Sequence, residues 1–177
     1  MKKGVIIFQG KYGATRQYAK WLSEELDLPF LEPDQVTDQS LSAFDYIVLG
    51  SSVYYGKLLL RLFILQHSGI LSTKKIFVFI VCATPESDEK TQKSIIKANI
   101  PQQIAGASDI FFVAGRLVLK KLSFTDRLML RMAAIFEQDP VKKQVMQTGI
   151  DAVKEENLID IIIAVTMYAL IKPAAHP

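Results

Sequence analysis

The sequence predicts a doubly wound α/β fold built on a five-stranded parallel sheet. Three observations carry that expectation. Short apolar runs alternate with amphipathic stretches in the βαβ rhythm. The runs are continuously apolar, as strands buried on both faces of a parallel sheet are. The first of them opens onto a two-glycine turn that leads into a helix, and in such sheets ligands bind beyond the carboxyl ends of the strands. With 177 residues, 50% apolar and 22% charged, the chain suits one domain around one core.

Val5-Ile6-Ile7-Phe8 is the first strand and Gly10-Lys11-Tyr12-Gly13 its turn. Thr15 is placed to cap a helix whose Tyr18, Ala19, Leu22 and Leu26 recur at helical spacing. Residues 28–31 read as a short second strand, and 46–49 as a third that stops at Gly50-Ser51-Ser52. A helix from 58 to about 67, ended by Gly69, precedes the most apolar strand, 76–81, which closes at Ala83-Thr84-Pro85. A polar helix over about 88–98 leads to the fifth strand, 110–114, stopped by Gly115. Residues 158–170 are nearly all apolar, yet as a helix they span only about 20 Å against a hydrocarbon core of about 30 Å, so they do not cross a membrane. Packing onto the domain or onto a partner subunit is the alternative. The sequence therefore divides into a domain over 1–157, with a helical insert at about 117–136, and an apolar tail over 158–177 to which no role is assigned.

Composition narrows the chemistry. One cysteine and two histidines leave no intramolecular disulfide and no multi-cysteine zinc site, so no metal is expected. The apolar run at 5–8 is too short for a signal-peptide core, which makes the cytoplasm the expected compartment. A net charge of +3 and a pI near 8.9 fall short of a nucleic-acid binder. Residues 116–131 hold five cations (Arg116, Lys120, Lys121, Arg127, Arg131) against Asp126, so this segment carries +4 and the remainder −1. Within it Leu128, Met132 and Ile135 fall at helical spacing, with Phe124 one turn earlier. A basic amphipathic helix of this kind either lies on an anionic surface or packs on the core with a solvated basic side.

Three loops at the carboxyl ends of the strands are the candidate site. In the first, Gly10, Lys11, Tyr12, Gly13, Ala14 and Thr15 join a buried strand to a helix N-terminus, where backbone N–H groups and the helix dipole suit a phosphate; an ordinary βα turn has the same pattern. The loop matches neither the G-x-x-x-x-G-K-[ST] nor the G-x-G-x-x-G pattern, against a nucleoside triphosphatase and against dinucleotide binding. In the second, Ser51, Ser52, Val53, Tyr54, Tyr55 and Gly56 bring hydroxyls and two aromatics to the same edge, where a flat heterocycle can stack or the tyrosines can simply pack. Ala83, Thr84 and Pro85 form the third. Alternation along an extended segment sends Tyr54 and Tyr55 to opposite sides, so one of them at most would stack. No Ser/His/Asp grouping emerges, and no catalytic acid or base is assigned.

Taken together, Lys11-Tyr12-Gly13-Ala14-Thr15-Arg16, Gly50-Ser51-Ser52-Val53-Tyr54-Tyr55-Gly56-Lys57, and Gly115-Arg116 followed by Leu122-Ser123-Phe124-Thr125-Asp126-Arg127-Leu128-Met129 resemble the flavodoxin family. Within it the chain resembles the branch of menaquinone-dependent protoporphyrinogen oxidase and related flavodoxin-domain proteins, over about residues 3 to 155. The resemblance implies FMN, with its phosphate in the first loop and its ring between the second and third, and an insert associated with membrane-linked, quinone-coupled chemistry. It implies an FMN-dependent oxidoreductase with a quinone or a redox-partner protein as electron acceptor. The other roles open to such a fold are a flavodoxin-type electron carrier and an interaction module that has lost FMN. Carriers of the family are strongly acidic, unlike this chain. Family members usually place Ser or Thr where this chain has Gln9 and Gly10; one charge-assisted hydrogen bond fewer is worth about 1.5–3 kcal/mol, which predicts weakened FMN binding.

Overall fold

In chain order, β1 (Gly4–Gln9) leads through α1 (Ala14–Leu26) to β2 (Phe30–Leu31), and α2 (Asp38–Ser42) precedes the long β3 (Tyr46–Tyr54) and the short β4 (Lys57–Leu58). Next come α3 (Arg61–Gln66), α4 (Ser68–Leu71), β5 (Lys75–Cys82), α5 (Glu89–Asn99), α6 (Gln102–Ala105) and β6 (Ser108–Ala114). The chain finishes with β7 (Arg116–Leu117), α7 (Phe124–Phe136), α8 (Pro140–Thr148), β8 (Ile150–Asp151) and α9 (Ile159–Leu170). This computed structural model describes residues 2–82 and 89–170.

The main sheet runs β2-β1-β3-β5-β6, all parallel, with β4 added antiparallel to β3. Leaving β4 aside, this is the 2-1-3-4-5 order of a flavodoxin-like doubly wound sheet, whose order reverses between β1 and β3. Period-two alternation assigns the strand residues to the two faces. Val5, Ile7, Ile47, Leu49, Ile76 and Val78 meet the helices after β3 and β5, through residues such as Leu60, Ile64 and Ile104. Ile6, Phe8, Val48, Phe77 and Phe79 meet Tyr18, Ala19 and Leu22 of α1. Register places Gly50 beside Phe79, and a Cβ on Gly50 would lie 2.1 Å from the Phe79 Cζ. A fully buried ring therefore occupies the space that any larger residue would need.

The third strand is longer than its apolar run. Gly50, Ser51 and Ser52 do not end it, because Gly50 packs under a ring and the Ser51 Oγ accepts the Leu60 N–H at 3.1 Å. The helix expected from 58 begins at Arg61 instead, since Leu58 pairs with Val53 in a hairpin. Its two loop residues, Tyr55 (φ 49°) and Gly56 (φ 74°), are both left-handed, as a tight hairpin turn requires. Thr15 is not the cap of α1. Gly13, at φ 88°, is the N-cap residue, and Thr15 lies in the first turn.

Two expected boundaries also move. The excursion after β6 runs past 136: α7 is followed by α8, and the chain returns only where Arg116 pairs with Asp151 and Leu117 with Ile150. Residues 158–170 are no separate tail, because Leu158, Ile161 and Val165 are fully buried against α1 and the sheet. Among the described residues, no helix is long and apolar enough to cross a membrane.

Candidate functional site

The carboxyl ends of β1, β3, β5 and β6 converge on a cavity of about 240 Å³. Lys11, Tyr12, Ala14 and Thr15 line it from the first loop, and Ser52, Val53, Tyr54 and Tyr55 from the second. Gly10, Gly13, Ser51 and Gly56 shape the backbone without lining it. Ala83, Thr84 and Pro85 lie outside the described residues. The sequence reading missed Val81 and Cys82 at the end of β5, Leu117 after β6 and Leu130 from the insert, and it placed Gly115, Arg116, Leu122 and Asp126 in the motif that resembles the family without assigning them to the site.

The first loop ends in an anion-ready helix terminus. Gly13 offers no side chain to cap α1, and the first turn holds no acidic residue, so its N–H groups are left to an external acceptor. Thr15 is 1% exposed, and its Oγ1 is buried without a hydrogen-bond partner. Gly10 explains how it fits: a Cβ there would stand 2.5 Å from that oxygen. A buried hydroxyl with no partner is costly, about 1–3 kcal/mol, and that cost is removed by any ligand that supplies an acceptor. A phosphate group matches this donor set.

Asp126 is the residue that composition could not flag. It is buried at 6% exposure on the first turn of α7, where the Ser123 Oγ accepts its N–H at 3.2 Å. Its carboxylate accepts from Lys11 Nζ at 2.8 Å, from the Tyr12 hydroxyl and from the Tyr54 hydroxyl. Lys11 Nζ also donates to the Tyr54 oxygen at 2.8 Å and lies over the Tyr54 ring. One carboxylate thus ties the first loop, the second loop and the insert together. The Lys11 ammonium, followed by the two phenols, holds the Asp126 carboxyl well below the usual carboxylate range, and Asp126 in turn raises the lysine.

The tyrosines divide their work. Tyr54 spends its hydroxyl on this tie. Tyr55 leaves the extended conformation, so the expected opposite-sided placement gives way to edge contact, with ring centroids 4.4 Å apart. Its ring, 57% exposed, is the one with a face to offer.

A model of the flavodoxin domain matches residues 5–143. The chain belongs to the flavodoxin-domain family. Membership carries a flavin-dependent electron-transfer or oxidoreductase role. The flavodoxin domain is also similar to solved structures. Oxidised Flavodoxin 2 from Bacillus cereus shares 16% identity over 94% of this chain and 99% of its own, with a TM-score of 0.47. Two-electron reduced flavodoxin from Megasphaera elsdenii shares 12% over 63% and 83%, with a TM-score of 0.48. The Trp repressor binding protein from Bacillus subtilis shares 17% over 64% and 85%, with a TM-score of 0.45. No curated protein matches the chain.

The tie through Asp126 has a pH dependence. A carboxyl depressed on folding stabilises the tie fully above the ordinary aspartate range, and that contribution is lost as pH falls below about 4. Asp126→Asn removes the charge at every pH. Amide hydrogen exchange of α7 is expected to accelerate severalfold in this variant at neutral pH, and in the wild type only in acid. Equal protection of α7 in both proteins at pH 7 would show that the tie holds nothing.

Proposed function

We propose that the chain is an FMN-dependent oxidoreductase of the protoporphyrinogen oxidase type, passing electrons to a quinone. The observation that carries the FMN reading is the unpartnered Thr15 Oγ1 at the uncapped start of α1. Gly10 to Thr15 would hold the phosphate, with Ser52 to Tyr55 beside the ring. FMN, when bound, supplies the two-electron chemistry. The chain's own residues bind, orient and shield: Lys11, Tyr12 and Tyr54 are fixed on Asp126, Tyr55 presents an aromatic face, and Leu122 and Leu130 of the insert keep water from the cavity wall. The substrate and acceptor rest on the likeness of the first loop, the second loop and the insert to that branch.

One observation favours a second reading. A cavity of about 240 Å³ is below the roughly 300–1,000 Å³ of most ligand sites, as a module without FMN would have. Titration of FMN into the purified protein, followed by flavin fluorescence, separates the two; quenching at one equivalent is expected. Anaerobic incubation with protoporphyrinogen and menadione should then generate porphyrin fluorescence only when both FMN and quinone are present. Quenching without turnover identifies an electron carrier, and absence of quenching identifies the module that has lost FMN.

A further inference from the structure

The insert carries a second concavity, separate from the flavodoxin cavity and larger. It is a groove of about 680 Å³ between α7 and α8. Lys120, Arg127, Arg131 and Lys143 line it, and no carboxylate does. Among the described residues no ion pair reaches any of the four; the Arg127 guanidinium donates to the Leu119 carbonyl, at 3.2 Å. The neighbouring acids are occupied elsewhere. Asp126 faces the other cavity, Asp139 caps α8, Glu137 accepts the Asp139 N–H, and Asp151 pairs with Arg116. Four unmatched cations call for an anion.

The rest of the groove calls for hydrocarbon. Leu130, Ala134, Ile135 and Met146 supply its apolar wall. Beside it, α7 is turned inside out: its buried residues are Asp126 and Ala134, whereas Phe124 is 82% exposed, Ile135 67% and Phe136 77%. At 100° per residue, Phe124, Leu128, Met132 and Ile135 form a stripe about 80° wide, with Arg131 at its edge. Core packing, one of the two expectations for this helix, is thereby excluded for the stripe. A second copy of the chain is a poor cover, because a two-fold contact through this face would set four cations against four.

We propose that the α7–α8 groove binds the phosphate headgroup and upper acyl chain of an anionic phospholipid. The cations hold the phosphate, the groove wall takes the first methylenes, and the stripe lies in the headgroup boundary, as interfacial helices do. Of the five cations counted in the sequence, Arg116 and Lys121 are not in this site, and Lys143 joins it from beyond the segment. The groove does not depend on the flavin assignment. It does share Leu130 with the other cavity, so α7 is the wall between them.

The test is sedimentation with vesicles of phosphatidylglycerol and phosphatidylcholine, against phosphatidylcholine alone. The wild-type protein is expected to pellet with the anionic vesicles at low salt and to be released as salt rises. Neutralising Arg131 and Lys143 (R131Q, K143Q) should weaken partitioning on the order of 30-fold, from about fivefold for each basic residue. Unaltered circular dichroism of this variant establishes its fold, and Ile135→Ser, at an exposed position, should lower the salt-resistant fraction. Three results overturn the proposal: no preference for anionic vesicles, equal partitioning of the double variant, or displacement of the protein by inorganic phosphate in excess, which marks a free-anion site. Binding to polyglutamate with no binding to the vesicles would assign the groove to an acidic protein instead.

Discussion

Replacing Leu158 and Ile161 together by alanine is expected to cost about 4–10 kcal/mol of folding stability, since each large-to-small change in a core costs about 2–5 kcal/mol. Both side chains are essentially inaccessible, at 1% and 0% exposure, and both pack in the layer built on Tyr18, Leu22 and Phe79. Domains of this kind are stable by only about 5–15 kcal/mol, so the double variant stands near or beyond the limit of folding. Urea unfolding followed by circular dichroism measures it, with Ile163→Ala, an exposed residue of the same helix, as the control. A double variant whose midpoint matches the control would mean that 158–170 is an appendage after all. The two sites are neighbours, so their costs need not add, and the single variants should be measured beside the pair.

Thr15→Val is expected to move stability and affinity in opposite directions. Valine keeps the branched shape and removes a buried hydroxyl that has no partner, so the apo-protein should gain up to about 1–3 kcal/mol. Under the FMN reading the same change deletes a donor to a phosphate, and affinity should fall by about ten- to a hundredfold. Thermal denaturation without FMN and fluorescence titration with it read the two effects separately. A variant that is stabilised and binds FMN as well as the wild type would place the phosphate elsewhere. A variant that is destabilised would show that the hydroxyl does have a partner.

Local pattern was sufficient for the sheet. Continuous apolar runs flanked by turn residues mark β1 and β5, and helical spacing marks α1, because each of these signals lies within a few residues of chain. The errors cluster where the deciding contact is distant. Nothing around residue 50 reveals that Gly50 lies beneath the Phe79 ring, so the strand reads as ended five residues early. Thr15 reads as a cap because hydroxyls often are, but Gly13 reaches the left-handed conformation that Thr15 would resist. From its own surroundings Asp126 reads as the lone acid of a basic segment, and its partners Lys11, Tyr12 and Tyr54 are 115, 114 and 72 residues away. The apolar side of α7 has the spacing of a core helix; which side faces inward was decided by Asp126, and periodicity carries no information on that choice.

The way the insert joins the domain has a consequence for engineering. Gly115 accepts the Ala152 N–H at 3.2 Å, Arg116 pairs with Asp151 through both backbone register and a 2.7 Å ion pair, and Tyr18 below them donates to the Ala114 carbonyl while Asn157 donates to Tyr18. The excursion therefore leaves and re-enters at adjacent points on a braced frame, like a cassette on a closed socket. Loop-closure entropy changes only slowly with length, so a short turn bridging Leu117 to Ile150 should close that socket with little strain on the sheet. The sheet should survive such an excision, but the candidate site would not survive it intact, because Asp126 leaves with the insert and Lys11, Tyr12 and Tyr54 lose their common partner.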